Sequence, residues 1–231
     1  MNHLLNEEQF PAGFLPAWFE ARRRHALEQA EQLPEPSRHM ESWRFGAPGN
    51  ESLEHVEAAP PAAPETLAPI IRERASMPEA LRIVYANGLP VSIPEELPEG
   101  LSVMDMEDFV LQCPDTARKY LETETETLGS EKLSALTTAL QHNGLVIMAD
   151  REISLPLEIL HFISGDNVAV FPSTLLIAET GSRLHILERH LSADHGRQFC
   201  GALQQYHLSS ASSVKYALVQ EPVSYTHLTL P

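Results

Sequence analysis

The chain has 231 residues, enough for one or two domains with a sizeable buried core. Its apolar fraction of 43% and charged fraction of 21% are those of an ordinary folded protein. A formal net charge of -16 repels phosphate backbones and argues against general nucleic-acid or anionic-membrane binding.

In chain order, the start MNHLLNEEQF lacks the basic region and apolar core of a signal peptide. Pro16 to Leu33, PAWFEARRRHALEQAEQL, predicts a helix, with Trp18, Ala21, His25 and Leu27 to Ala30 loosely at helical spacing. Arg22, Arg23 and Arg24 fall outside that stripe and read as a small solvated basic face. Pro34 and Pro36 stop the helix. ESWRFGAPGN follows, an aromatic and Gly-rich loop in which Trp43 and Phe45 could anchor a partner or pin the helix to the core. Residues 51–69, rich in Ala, Pro and Glu, read as a linker or exposed loop.

Leu81 to Tyr85 predicts a strand, Asn87-Gly88 a tight turn, and Val91 to Ile93 the return strand. Asp115 to Glu122 reads as a helix. Glu122, Glu124 and Glu126 alternate with Thr in a solvated loop. Ser130 to Asn143 is the clearest helix: Ser130 serves as N-cap, Leu133, Leu136, Thr137 and Leu140 form the apolar stripe, and Gly144 closes it.

Beyond Gly144 the helical period disappears. LVIMA, LEILHFI, VAVF, TLLIAE, RLHILE, ALQQYHL and VKYALVQ are separated by turn signals, a succession of strands without crossover helices. A repeat at an offset of 30 lays Leu175 to Ile186 over Gln205 to Tyr216. It sets Leu184 and Ile186 on Val214 and Tyr216, and Gly181-Ser182 on Ala211-Ser212. Strands at a fixed period suggest a solenoid; an antiparallel sandwich is the alternative. The tail EPVSYTHLTLP carries no Lys, Arg or Asp and begins with Glu221. One reverse translation of Pro222 to Leu230 resembles the transposase-end adapter used to prepare sequencing libraries. Residues 222–231 are therefore expected to be a non-native tail, and native sequence to stop near Glu221.

Three stretches carry a resemblance: ALTTALQHNGLVIMADREISLPLEILHFIS, STLLIAETGSRLHILERH and SSASSVKYALVQ. In order and spacing they resemble the SufB/SufD family of iron–sulfur cluster assembly proteins. In the front half, ESWRFG and LRIVYANG favour the D branch. The resemblance implies an α+β, mainly β protein: an N-terminal helical region followed by a right-handed parallel β-helix, here truncated. It divides the chain into a helical region (1–50), a Pro/Ala-rich linker (51–79), a small α/β segment (80–143), the start of the β-helix core (144–221) and the tail (222–231). It also implies a non-enzymatic scaffold subunit in the cytoplasm. Such a subunit pairs with a SufB-like protein and binds a SufC-like ATPase, through a helical segment that in the family follows the β-helix and is missing here. The iron–sulfur cluster would be held transiently by the shared complex, with no cofactor bound by this fragment.

Residue chemistry agrees with a non-catalytic part. There is no G-x-x-x-x-G-K-[ST] loop, no G-x-G-x-x-G and no G-x-S-x-G elbow. The two cysteines, Cys113 and Cys200, form no disulfide framework and no cluster ligand set. Each reads as a small, partly buried side chain. In HILERHLSADH, the residues His185, Glu188, His190, Asp194 and His195 are suitable metal ligands. Alternation places Glu188 and His190 on the face of Ile186, His185 on the other face with Leu187 and Arg189, and His195 in the following turn. The expectation is a solvated outer face, with no metal, catalytic or cofactor residue assigned. His161 reads as a packed or hydrogen-bonded histidine. The other readings are a carbohydrate-active β-helix enzyme, which would need clustered Asp, Arg or Lys on an exposed sheet, and a plain interaction module.

Overall fold

In a computed structural model, residues 15–35, 37–40, 56–62, 64–122, 130–140, 144–221 and 227–228 are described. The first helix, α1 (Ala17–Gln32), forms where expected. The basic cluster on it does not face water as expected. Arg23 is fully buried, and its Nε donates to Ala139 O at 3.1 Å. Arg22 donates to Leu121 O at 3.0 Å. Both arginines therefore tie α1 to its neighbours, and burial lowers both of their pKa values. Only Arg24 is exposed.

The stretch 51–79, expected to be a linker, contains β1 (Glu57–Ala58) and α2 (Pro64–Arg74). Val56 and Leu67 are buried, and Leu67 packs on Leu160 and Phe162. Burying such a side chain contributes about 1.5–3 kcal/mol, which offsets the poor helix propensity of Pro69. Trp43, Phe45, Glu124 and Glu126 lie outside the described residues.

The hairpin β2 (Leu81–Ala86) and β3 (Leu89–Ser92) pairs antiparallel around Asn87-Gly88, both at positive φ (49° and 80°). Strand β4 (Leu101–Asp105) and α3 (Met106–Gln112) come next. Asp105 caps α3 by accepting from Asp108 N at 2.8 Å. Cys113 and Pro114 then open α4 (Pro114–Leu121). Helix α5 (Glu131–Leu140) has the expected N-cap, Ser130 Oγ accepting from Leu133 N at 3.3 Å. Its stripe Leu133, Leu136, Thr137 and Leu140 is buried. The expected end at Asn143 lies outside the described residues.

From here the elements are β5 (Leu145–Ala149), β6 (Leu157–Ile163), β7 (Val168–Val170), β8 (Ser173–Ala178), β9 (Arg183–Ser192), β10 (Gln198–Cys200), β11 (Leu203–Leu208), β12 (Ser213–Glu221) and β13 (His227–Leu228). They fall into three sheets: β1-β7-β10-β13, β11-β8-β5-β4 and β12-β9-β6-β2-β3. From β5 to β13 the chain visits the three in fixed cyclic order. Every pairing recorded among β5 to β13 is parallel, whereas β2–β3 and β4–β5 are antiparallel. The fold class is thus α+β with mixed sheets.

The repeat seen in the sequence is the register of the fold. Leu184 pairs with Val214, Ile186 with Tyr216 and Leu175 with Gln205. The turns repeat too: Ser182 Oγ donates to Glu179 O and Ser212 Oγ to Ser209 O, each at 2.7 Å. Strands buried on both faces read as continuous apolar runs, which is why LVIMA and LEILHFI show no alternation. Inside, Ile83, Ile147, Leu157, Ile159, Leu176, Leu184 and Ile186 form the central core.

Candidate functional site

The central core changes character along its length. On β6 the inward positions run Leu157, Ile159, His161; on β9 they run Leu184, Ile186, Glu188, His190. The polar residues therefore gather at one end of an otherwise apolar interior. Glu188 is fully buried, His190 is 2% exposed and His161 is 4% exposed. The expected solvated outer face is corrected here: this face of β9 is closed off by the other two sheets. Exposed His185 lies on the opposite face, as alternation required.

Glu188 is the hub. Its Oε1 lies 2.7 Å from His190 Nε2, 3.1 Å from Gln204 Nε2 and 3.5 Å from His161 Nε2. Its Oε2 accepts from Thr174 Oγ1 at 3.2 Å and from the Tyr216 hydroxyl. On its far side His190 Nδ1 meets Cys200 Sγ at 3.4 Å. All three sheets contribute: Thr174 and Gln204 from one, His161, Glu188, His190 and Tyr216 from another, Cys200 from the third.

The electrostatics follow from enclosure. Burial alone would raise the Glu188 carboxyl, but the His190 hydrogen bond and both imidazoles outweigh it and hold it well below the ordinary range. Burial alone would lower His190, but the Cys200 sulfur and the Glu188 carboxylate outweigh it and raise it. Burial, and then repulsion from His190, push His161 down to about 4. At neutral pH the group is thus a carboxylate paired with one imidazolium, beside a neutral imidazole. A carboxylate between two imidazoles is a donor set suited to a borderline divalent metal ion.

The remaining predicted candidates serve structure. Asp194 stays in its turn, its Oδ2 accepting from Gly165 N at 2.8 Å and its Oδ1 from Gln198 Nε2 at 2.6 Å. Cys113 is half-buried at the α3–α4 junction. Thr174 and Gln204 were not singled out in the sequence, and Tyr216 entered only as the repeat counterpart of Ile186. Extending the offset of 30 by one residue also pairs Thr174 with Gln204.

Strands stacked in cyclic order around an enclosed core define the class: a protein built of repeating strand turns. No family model matches the chain. Over 187 residues, 77% of this chain, it is 25% identical to the iron–sulfur cluster assembly protein SufD of Bacillus subtilis, covering 42% of that protein. It is also 31% identical over 97 residues to SufBD family iron–sulfur cluster assembly proteins of Mycobacterium tuberculosis and Mycobacterium bovis, covering 11% of each. The chain spans less than half the length of these relatives. The chain is thus similar to SufD along most of its length and to SufBD family proteins over a shorter stretch.

Proposed function

We propose that the chain belongs to a SufD-like scaffold subunit of a cytoplasmic iron–sulfur cluster assembly complex, not itself an enzyme. The observation that carries this is the similarity to SufD along 77% of the chain. The cyclic strand order supports reading the core as a parallel β-helix. The partners under this reading are a SufB-like subunit and a SufC-like ATPase, with the cluster held by the complex. Among the described residues no helix is long and apolar enough to cross a membrane. The carbohydrate-enzyme reading is weakened because the His161–Glu188–His190 group is enclosed, out of reach of a polymer laid on a sheet face.

The test is co-expression of the complete gene product with the SufB-like and SufC-like proteins of the same source. A stable complex that takes up iron and sulfide is expected. Purification of the protein alone, with no complex at any stoichiometry, would overturn the assignment.

A further inference from the structure

We propose that His161, Glu188 and His190 form a binding site for one divalent first-row transition-metal ion, iron(II) or zinc(II), held by two imidazole nitrogens and one carboxylate oxygen. Among the described residues this is the one place where three such donors converge, their ligand atoms all within 4.8 Å of one another.

The distances fit with little adjustment. Ligands at 2.0–2.2 Å from a tetrahedral ion stand roughly 3.4 Å apart. His161 Nε2 and Glu188 Oε1 are already 3.5 Å apart. His190 Nε2, at 2.7 Å from the same oxygen, must open slightly to admit the ion between them. The two rings, stacked at 4.7 Å, must also turn so that their lone pairs converge.

Two further observations favour a ligand at this point. The first is that His161 Nε2 is buried, faces Glu188 and has no hydrogen-bond partner. Gln204 Oε1 and Gln220 Nε2 are also buried without partners, and Gln220 pairs in register with His190. Buried polar atoms are rarely left unmatched, so these atoms are available to a bound ion and its ligands. The second is that two of the three ligands are already braced through their other atoms. Cys200 Sγ meets His190 Nδ1, so the ion would bind at Nε2, displacing to solvent the proton that Nε2 shares with Glu188. Thr174 and Tyr216 hold the second oxygen of Glu188. Outer partners of this kind orient metal ligands and tune them.

The inference does not depend on the scaffold reading, because a SufD-like scaffold need not bind metal at this point. The experiment uses the full chain, stripped with a chelator and then titrated with cobalt(II), zinc(II) and, anaerobically, iron(II). One retained equivalent is expected, with cobalt bands of nitrogen and oxygen ligation and a metal-dependent rise in melting temperature. His161→Phe and Glu188→Gln are expected to weaken binding about tenfold or more, while exposed His185→Ala leaves it unchanged. Circular dichroism shows whether each variant is folded, and the wild-type titration stands without them. Failure of the wild type to retain metal, or equal retention by folded His161→Phe, would overturn the site. A strong sulfur-to-cobalt charge-transfer band would also overturn it, since that would make Cys200 a ligand instead of a brace.

Discussion

His161 and His190 face each other on paired parallel strands, ring centroids 4.7 Å apart and planes 19° apart, yet they carry opposite roles. His190 is charged and bonded to Glu188; His161 is neutral with its Nε2 unmatched. Replacing them should have opposite effects in metal-free protein. His161→Phe keeps the ring and removes an unsatisfied atom, whose burial costs about 1–3 kcal/mol. It is expected to leave stability unchanged or to raise it. His190→Leu strands the Glu188 charge and should cost about 3–5 kcal/mol. Urea denaturation with a chelator present reads both; equal losses would show that the two imidazoles are equivalent.

A second buried carboxylate, Glu158 on β6, ties strand β2 to the segment after α2. Its Oε1 accepts from Ser76 N at 2.8 Å and Ser76 Oγ at 2.6 Å, and its Oε2 from Arg82 Nε at 2.9 Å. Arg82→Ala is expected to destabilise by about 1.5–3 kcal/mol, the usual contribution of a hydrogen bond to a buried charge. Thermal melting of the variant at pH 7 is the check.

The same group sets an acid limit. Burial alone would raise the Glu158 carboxyl, but the Ser76 and Arg82 bonds outweigh it and hold it below the ordinary value. A depressed folded pKa contributes stability above the unfolded value, about 4.3, which is lost as pH falls through the folded value. Wild-type melting temperature should therefore fall more steeply between about pH 4.5 and pH 3 than that of Glu158→Gln. Parallel profiles would show that Glu158 does not contribute.

Corresponding turns one repeat apart offer a test of backbone strain. Gly181 has φ 77° and Ala211, its counterpart, φ 57°. An alanine in the left-handed region costs roughly 1–2 kcal/mol, part of which glycine returns through its freer unfolded chain. Ala211→Gly should stabilise by about 0.5–1 kcal/mol, and Gly181→Ala should destabilise by a similar amount. A Cβ at Gly181 meets nothing within 4 Å, so the difference would be conformational and not steric. Melting of the two single variants and the double settles the sign.

At the hairpin, Asn87 stands at φ 49° and joins three segments. Its Nδ2 donates to Pro60 O at 2.7 Å and Ser164 O at 3.0 Å, and its Oδ1 accepts from Ser164 N at 2.9 Å. Asn87→Ala loses these bonds and keeps the strain, so about 2–3 kcal/mol is expected. Asn87→Gly relieves the strain and should cost less. Hydrogen exchange at Ser164 reports the lost bond directly.

How much of this was legible follows from the periods involved. The offset of 30 was readable because Leu184 and Ile186 fall on Val214 and Tyr216, and α5 because Ser130 precedes a clean stripe. Strand β4 and α3 were not readable: in LSVMDMEDFV the two-residue and helical periods meet at Asp105, and neither runs long enough to dominate. Helix α2 was hidden by its prolines and is held by packing of Leu67, a tertiary effect. For the site, alternation correctly grouped Glu188 and His190. It could not say that their face was the inside, because that depends on two other sheets closing over it. The burial of Arg23 was hidden for the same reason.

The parallel register has a consequence for how such a chain can change in length. Each strand lies on the one a full circuit earlier, so loss of one codon within β9 would turn Glu188 and His190 outward and bring their neighbours in. Gain or loss of a whole circuit, by unequal recombination between two similar segments, would keep every inward position inward. Viable descendants of this gene should therefore differ along the stacked strands in steps of one circuit, with smaller changes confined to the corners.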